Sequence, residues 1–440
     1  MHDLEKLHDN TLTIGIVGVG YVGLPLAMCF SKVFTVIGYD TSSERIALLE
    51  GGRSYIDDVT DATLADVVGT SFFPTNDHAR LAECDVILIC VPTPVKENHV
   101  PDLGPVENAT KTIASILRKG QTVVLESTTY PGTMEEVMRP ILESSGLSAG
   151  TDFFLAYSPE RIDPGNKHHT IYNTPKVVGG MDERTTTFIT ALYQKAINAP
   201  IVSVSNIRTA EATKIFENVF RAVNIALVNE LSIVFDHMGI NTWEVIQAAS
   251  SKPMGFMAHY PGVGVGGHCI PVDPYYLSYK ARKCGHTTRF IELAGQINSY
   301  MPVHATYLAL DAMAHAGVTI HDASVTVLGV TYKPNTMDTR DSPSFDIIRH
   351  LQGIVKTVTF HDPFVDDIVV DGSAYKSVKT LEEALNCDCA ILAVDHEAYR
   401  GVEALLARSN VRAVVDGKNF LDSSSIPNKV YRGIGKGGMQ

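Results

Sequence analysis

A short β-like run, Leu12 to Val17, passes directly into Gly18, Gly20 and Gly23 within "LTIGIVGVGYVGLPLAMCFSK". Glycines at G-x-G-x-x-G spacing, between a strand pattern and a helix pattern, commit the chain to a strand, a tight turn and a helix whose first amides face an anion. The next strand-like run, "FTVIGYD", ends at Asp40, 22 residues beyond Gly18. A carboxylate at that distance meets the adenosine ribose of a bound dinucleotide. The pyrophosphate is expected at the helix opening, near Tyr21 and Val22. The charge of Asp40 disfavours a 2′-phosphate, so the expected cofactor is NAD and not NADP.

Further apolar runs each end in polar residues. "CDVILICVPTP" is stopped by Pro92, Thr93 and Pro94. "GQTVVLESTTYPGT" ends in Ser127, Thr128 and Thr129, and "DFFLAYSPER" ends at Ser158, Glu160 and Arg161. In an open α/β sheet the carboxyl ends of the strands line the ligand crevice. Pro92, Thr93, Ser127 and Thr128 are therefore expected at the cofactor, and Thr128 and Glu160 near the chemistry, with a local turn or helix cap as the plain alternative. Arg45 is expected at the cofactor phosphates or facing water.

The 440 residues allow two or three domains. A formal net charge of -13, from 36 basic and 49 acidic residues, argues against a nucleic-acid or anionic-membrane partner. No apolar run reaches membrane-spanning length, the start is unlike a signal peptide, and the seven cysteines form no CxxC pair. Cys29, Cys84 and Cys90 read as core or near-core thiols. The histidines lack zinc spacing, so no metal is expected, and the expected compartment is the cytoplasm.

"NIRTAEATKIFENVFRAVNIALVNELSIVFDHMG" reads as one long helix ended by Gly239. Lys214 and Asn218 share a face, and a cation beside an amide donor suits a developing oxyanion; a solvated stripe is the alternative. "GVGVGGHCIPVDPYYL" then sets Cys269 among Gly262, Gly264, Gly266 and Gly267, with Asp273 four residues on. So many glycines read as a loop whose backbone approaches something closely, a plausible seat for a nucleophile. A second strand–helix unit starts near residue 322 and lacks G-x-G-x-x-G. Its Lys333 and Arg340 are expected to hold an anion such as a nucleoside diphosphate. "SSSIPNKVYRGIGKGGMQ" reads as a polar tail. The expected fold is α/β, with two Rossmann-like domains joined by a long central helix. The expected divisions are 1–205 for NAD, 206–315 for a central helical region with the cysteine and dimerisation, and 316–440 for the substrate nucleotide.

NAD with a nucleophilic cysteine points to aldehyde oxidation through a thiohemiacetal and a thioester. The chain resembles the UDP-glucose/GDP-mannose dehydrogenase family from "GIVGVGYVGLPLA" to "VDGKNF", through "STTYPGT", "SPER", "KIFEN", "GVGGHCIPVDP" and "TYKPNTMDTRDSP". The resemblance implies four-electron oxidation of a nucleotide-sugar C6 alcohol. It implies Cys269 as covalent nucleophile, Lys214 and Asn218 as oxyanion stabilisers, Asp273 in proton transfer, Thr128 on a water and Glu160 in thioester hydrolysis. It also implies UDP binding by Lys333 and Arg340 and a site built at a homodimer interface. Glu160, Arg161, Lys214, Asn218, Tyr260 and Gly266 are expected around the sugar. His268 and Val272 stand where glucose-type members carry Ser and Lys. That version resembles the UDP-N-acetylhexosamine branch, most closely UDP-N-acetylglucosamine 6-dehydrogenases, with UDP-N-acetylmannosamine and UDP-N-acetylgalactosamine enzymes as near neighbours. A noncatalytic sugar-nucleotide binder and a two-electron dehydrogenase with an inert cysteine are the readings from other classes.

Overall fold

The structure is a computed structural model that describes residues 4–56, 58–96, 100–162, 170–267 and 269–438. The chain divides into two compact units. One comprises Met1–Glu217 and Tyr275–His286, the other Asn218–Pro274 and Thr287–Gln440.

The first unit holds β1 (Thr13–Val17), β2 (Thr35–Tyr39), β3 (Phe72–Thr75) and β4 (Val86–Ile89). A small antiparallel pair follows, β5 (Val95–Lys96) and β6 (Val100–Pro101), and then β7 (Thr122–Leu125), β8 (Phe154–Tyr157), β9 (Lys176–Gly180) and β10 (Ile201–Ser203). Eight strands make one sheet in the order β10-β9-β8-β7-β4-β1-β2-β3. Only β8 and β9 are antiparallel neighbours within it; every other pair is parallel. β4, β7 and β8 are buried along their whole length, as interior parallel strands covered on both faces must be, and their sequences are accordingly apolar without alternation. The order changes direction at β1, so the turn after β1 faces the crevice where such sheets bind ligands.

The second unit carries β11 (Ser324–Leu328), β12 (Thr357–His361), a hairpin of β13 (Asp367–Val370) and β14 (Ser373–Lys376), then β15 (Cys389–Leu392), β16 (Ala413–Asp416) and β17 (Val430–Gly433). Its parallel five-stranded sheet runs β12-β11-β15-β16-β17. The expected polar tail is thus wrong. Val430–Gly433 completes this sheet, Tyr431 is buried with its hydroxyl on Asp416 at 3.0 Å, and the Ile434 carbonyl accepts from Trp243 Nε1 at 2.8 Å.

Two long helices lie between the sheets in the chain, Ile207–His237 and Arg289–His315. The first ends as the sequence predicts, at Gly239 with φ +71°, where a Cβ would be strained. The second contains Pro302, a residue that ordinarily breaks or kinks a helix. In the structure Pro302 sits buried inside that helix. The expectation that no apolar run reaches membrane-spanning length also needs correction. Ile207–His237 is long and apolar enough to cross a membrane, with a mean hydropathy of 1.3 over its best stretch, although Arg221 and Glu230 interrupt it.

Candidate active site

The turn after β1 is built from glycines that cannot be replaced without moving backbone. Gly18 has φ +90°, and a Cβ on Gly23 would stand 1.9 Å from the Gly18 carbonyl oxygen. Gly20 differs: a Cβ there would meet nothing within 4 Å. The helix Gly23–Phe30 starts immediately after, beyond the exposed Tyr21 and half-buried Val22. Asp40 is buried, and its carboxylate accepts Val19 N at 3.1 Å and Ser42 N at 2.9 Å. Arg45 Nη1 lies 3.5 Å from Asp40 Oδ2, with its guanidinium 5.6 Å from the Tyr55 ring centre. Open space over Gly20, amides at a helix start and an acid at the end of β2 fit a dinucleotide. Pro92 is exposed and Thr93 half-buried after β4, and the Ser127 hydroxyl donates to the Val91 carbonyl at 2.7 Å, tying this loop to the one that carries Thr128.

Glu211 fastens the far side of that loop. It accepts Gly132 N at 2.5 Å and Met134 N at 3.0 Å, and burial pushes its carboxyl up to about 7. Glu160 follows β8, and its Oε1 accepts the backbone amides of Arg161 at 2.7 Å and Ile162 at 2.9 Å. Its Oε2 lies 3.6 Å from Lys176 Nζ, which in turn pairs with Glu126 Oε2 at 2.6 Å. Arg161 is spoken for within the unit: its guanidinium meets Glu217 at 2.5 Å and the Pro175 carbonyl at 2.6 Å. Sequence reasoning missed Glu126, Lys176 and Glu211. The one available signal was that Glu126 and Lys176 are charged residues directly beside apolar strand runs.

In the second unit the glycine loop approaches another loop, not open space. A Cβ on Gly266 would stand 2.7 Å from Tyr332 Cβ and 2.8 Å from the Asp341 carbonyl oxygen, and one on Gly267 would stand 2.9 Å from the Tyr332 ring. Gly267 N donates to the Arg340 carbonyl at 3.0 Å. The glycines thus let the segment before Cys269 lie flat on residues 331–343. Cys269 itself is exposed, and all seven cysteines are thiols. Its carbonyl accepts Asp273 N at 2.9 Å, and Asp273 Oδ2 accepts Asn218 Nδ2 at 2.5 Å. Asn218, Asp273 and Cys269 therefore form one hydrogen-bonded run. Lys214 lies one turn ahead of Asn218 on the same helix; it is 8% exposed and pairs with no carboxylate among the described residues. His268 lies outside the described residues.

The loop 331–343 carries Lys333 and Arg340. Lys333 Nζ lies 5.4 Å from the Tyr332 ring centre, and Arg340 Nε binds the Asp338 carboxylate at 2.8 and 3.0 Å. An incoming anion at Arg340 has to share it with Asp338. Tyr260 is exposed and stacks on Trp243 with ring centres 5.4 Å apart.

Comparison with known proteins matches three successive stretches of the chain to one family. Residues 12–197 match the UDP-glucose/GDP-mannose dehydrogenase family NAD binding domain, 208–300 its central domain and 326–423 its UDP binding domain. A UDP-N-acetyl-D-glucosamine 6-dehydrogenase of Pseudomonas aeruginosa is 41% identical over 412 residues, covering 93% of this chain and 96% of that protein. The solved UDP-N-acetyl-D-mannosamine dehydrogenase of Pyrococcus horikoshii superimposes with a TM-score of 0.90 at 34% identity, covering 97% of this chain and 100% of that one. The NDP-N-acetyl-D-galactosaminuronic acid dehydrogenase of Methanosarcina mazei gives 0.84 at 30% identity, over 99% and 98%.

Proposed function

The chain belongs to the UDP-glucose/GDP-mannose dehydrogenase family and has its NAD binding domain, and we propose that it oxidises the C6 alcohol of a UDP-N-acetylhexosamine to the uronate, with UDP-N-acetylglucosamine the preferred sugar. What carries this reading is that the Asp273 carboxylate holds the Asn218 amide while its backbone amide donates to the Cys269 carbonyl, so an acid and an amide donor adjoin the turn that bears an exposed thiol. The name of the Pseudomonas relative supports the glucosamine choice. The mannosamine and galactosamine names of the two structural relatives make those sugars the alternative.

Gly18, Gly20, Tyr21, Val22, Asp40 and Arg45 would hold NAD, with Pro92, Thr93, Ser127 and Thr128 at its nicotinamide end. NAD supplies the hydride acceptor for both two-electron oxidations. Lys214 and Asn218 stabilise the alkoxide formed when the C6 hydroxyl loses its proton, and Asp273 takes that proton. The Cys269 thiolate adds to the aldehyde carbon, giving a thiohemiacetal whose oxyanion the same two donors hold. After the second oxidation a thioester joins the sugar to Cys269. Water, positioned by Thr128, gives a proton to Glu160 as its oxygen bonds the acyl carbon. The carbon–sulfur bond then breaks, the thiolate leaves with the electron pair, and the acid's remaining proton neutralises it. Lys333 and Arg340 hold the diphosphate, Tyr260 and Gly266 complete the substrate contacts, and Arg161 joins them by exchanging its Glu217 partner for the substrate. The division into 1–205, 206–315 and 316–440 follows these roles, and a cytoplasmic setting follows from the two nucleotide substrates.

We read the chain as a homodimer as well. Phe220, Leu227 and Val234 lie seven residues apart and exposed on one long helix; Leu293, Tyr300 and Tyr307 do the same on the other. Heptad spacing keeps such residues on one nearly straight stripe, the form a paired helix surface takes. The same stripe accounts for the apolarity of Ile207–His237 without a membrane.

The test is NADH yield over a panel of UDP-sugars. Two NADH per UDP-N-acetylglucosamine, lost in Cys269→Ala with NAD binding kept, is the expected result. One NADH per sugar, or normal turnover in Cys269→Ala, would refute the thioester route. Leu227→Glu is expected to lower the mass in solution to that of one chain.

A further inference from the structure

β9 runs against β8, and this reversal carries its first residue, Lys176, to the edge at which β7 and β8 end. There Nζ stands 2.6 Å from Glu126 Oε2, 3.3 Å from the Pro159 carbonyl oxygen and 3.6 Å from Glu160 Oε2. The side chains of Lys176 and Glu126 are 4% and 0% exposed. The Tyr193 hydroxyl, from the helix Glu183–Ala196, donates to Glu126 Oε1. Burying an ion costs several kcal/mol before pairing, and a role confined to packing is met as well by apolar side chains.

One ammonium therefore faces two carboxylates, and the three cannot all be ionised without a net negative charge in the interior. Burial pushes the Glu126 carboxyl up to about 7, with Glu160 adding to the rise and Lys176 opposing it. Burial acts to lower Lys176, yet Glu126 and Glu160 outweigh it and hold its ammonium above the usual range. The other titratable groups facing the cluster stay neutral. Burial raises the thiol of Cys90, after β4, well above its usual value, that of Cys29, on the helix Gly23–Phe30, to about 12, and the Tyr193 phenol well up. Arg161 is held by Glu217.

We propose that Lys176 is a positioning residue for thioester hydrolysis: its ammonium faces the Glu160 carboxylate that accepts the proton of the attacking water, and Glu126 competes with Glu160 for its charge. This rests on the reading of Glu160 as that acceptor. The water proton goes to Glu160 Oε2, next to the ammonium, and leaves to solvent before the next turnover; Lys176 stays charged throughout.

The competition gives two variants opposite signs. The measurement is the pH profile of steady-state turnover with NAD and UDP-N-acetylglucosamine, beside single-turnover formation of the first NADH. In Lys176→Met the acidic limb is expected to move up by about one pH unit or more, the scale for a carboxylate losing an adjacent cation. On that limb steady-state turnover should fall roughly 10-fold, with first-NADH formation and both KM values kept. In Glu126→Gln the limb is expected to move down, because Lys176 then serves Glu160 alone. A limb unmoved in Lys176→Met, or moved the same way in both variants, overturns the proposal, as does an equal slowing of first-NADH formation. Should Lys176→Met not fold, the double variant Glu126→Gln/Lys176→Met removes both buried charges together and must show the upward shift; an unmoved limb there overturns it too. Glu160→Gln separates the two claims. If it leaves hydrolysis intact, the reading of Glu160 falls and the proposal with it. If it blocks hydrolysis while Lys176→Met moves nothing, the positioning role alone falls.

Discussion

At the end of its first strand each sheet makes the same turn. Gly18 has φ +90° and Gly329 φ +89°. Their amides donate to the last residue of the neighbouring strand, Tyr39 and His361, both at 2.8 Å. An acid follows that strand in each case. Asp40 Oδ2 accepts Val19 N at 3.1 Å, and Asp362 Oδ2 accepts Val330 N at 2.7 Å. Asp40 Oδ1 accepts Ser42 N, and Asp362 Oδ1 accepts Phe364 N, both at 2.9 Å. Beyond this shared frame the two diverge. In the first, Gly20 leaves open space and the helix begins at Gly23. In the second, Thr331 follows, and His396 covers the acid with Nε2 3.2 Å from both Asp362 Oδ2 and Thr331 Oγ1. The Asp362 and His396 side chains are 0% exposed, so this acid has no face left for a ribose. A Rossmann turn and a cofactor site are therefore separate things: strand geometry demands the glycine and the acid, and the ligand needs what comes after them.

The comparison breaks most sharply at Gly23 and Gly20. Gly23→Ala puts a Cβ 1.9 Å from the Gly18 carbonyl oxygen, contact no side-chain motion can relieve. Loss of the folded first unit, seen as loss of its cooperative melting, is the expected outcome. Gly20→Ala meets no atom within 4 Å and should melt within about 0.5 kcal/mol of wild type. Its NAD affinity should nevertheless fall roughly 10-fold or more, the new methyl standing where the pyrophosphate has to approach. Unchanged NAD binding in Gly20→Ala would mean that the open space is not the cofactor's. Gly18→Ala and Gly329→Ala test the shared frame. Each needs a positive φ, and each Cβ would clash, at 2.7 Å with the Cys90 carbonyl oxygen and at 2.4 Å with Val394 Cβ. Both should lose more than about 2 kcal/mol of stability. Only the first should also lose NAD, by equilibrium dialysis at a temperature where both are folded.

The acids come next in size. Asp40→Ser should weaken NAD and relax discrimination against NADP, since it removes the charge a 2′-phosphate meets. Asp362→Asn should leave the NAD and NADP constants at wild-type values and destabilise the second unit by about 1–3 kcal/mol, through the His396 and Val330 bonds it disturbs. A change of cofactor preference in Asp362→Asn would erase the distinction between the two turns.

What the sequence made legible follows the same line. The first turn was readable because its glycines, its acid and its helix lie within one local stretch, and each residue type has a local reason. The cysteine loop was half readable. Its glycines did signal close approach, but the approach is to Tyr332, Asp341 and Pro343, some seventy residues on, which no local pattern reports. The pairing of Lys176 with Glu126 was invisible for a similar reason. They meet only because β9 is antiparallel, and a single strand pattern does not carry its own direction. Val430–Gly433 was misread because an edge strand between Lys429 and Gly435 has the composition of a tail, while its partner β16 supplies the ladder. Arg340 stands between Asp338 and Asp341 in the sequence, and the structure binds its Nε to the Asp338 carboxylate.

The smallest effect is one of sign. In the first unit burial raises two carboxyls, Glu126 and Glu211, from an ordinary 4.5 to about 7. Groups raised by folding contribute stability that is whole below 4.5 and is lost as pH rises through 7. In the second unit burial lowers His304 from 6.5 to about 4, and lowers His361 as well. A histidine lowered by folding contributes stability that is whole above 6.5 and is lost as pH falls through 4. Between these limits the unfolded chain binds fewer protons than the first unit at its two carboxyls, and more than the second at its histidines. Each such group changes stability by at most about 1.4 kcal/mol per pH unit, with opposite slopes. Amide hydrogen exchange, corrected for the intrinsic pH dependence, reads each unit separately. Going from pH 5 to pH 7 should loosen β7 and the turn at Gly132 while tightening Arg289–His315. Glu126→Gln should reduce the first response, leaving the share of Glu211, and His304→Gln should reduce the second, leaving that of His361, each without effect on the other unit. The same slope in both units would show that these buried groups do not set their pH response.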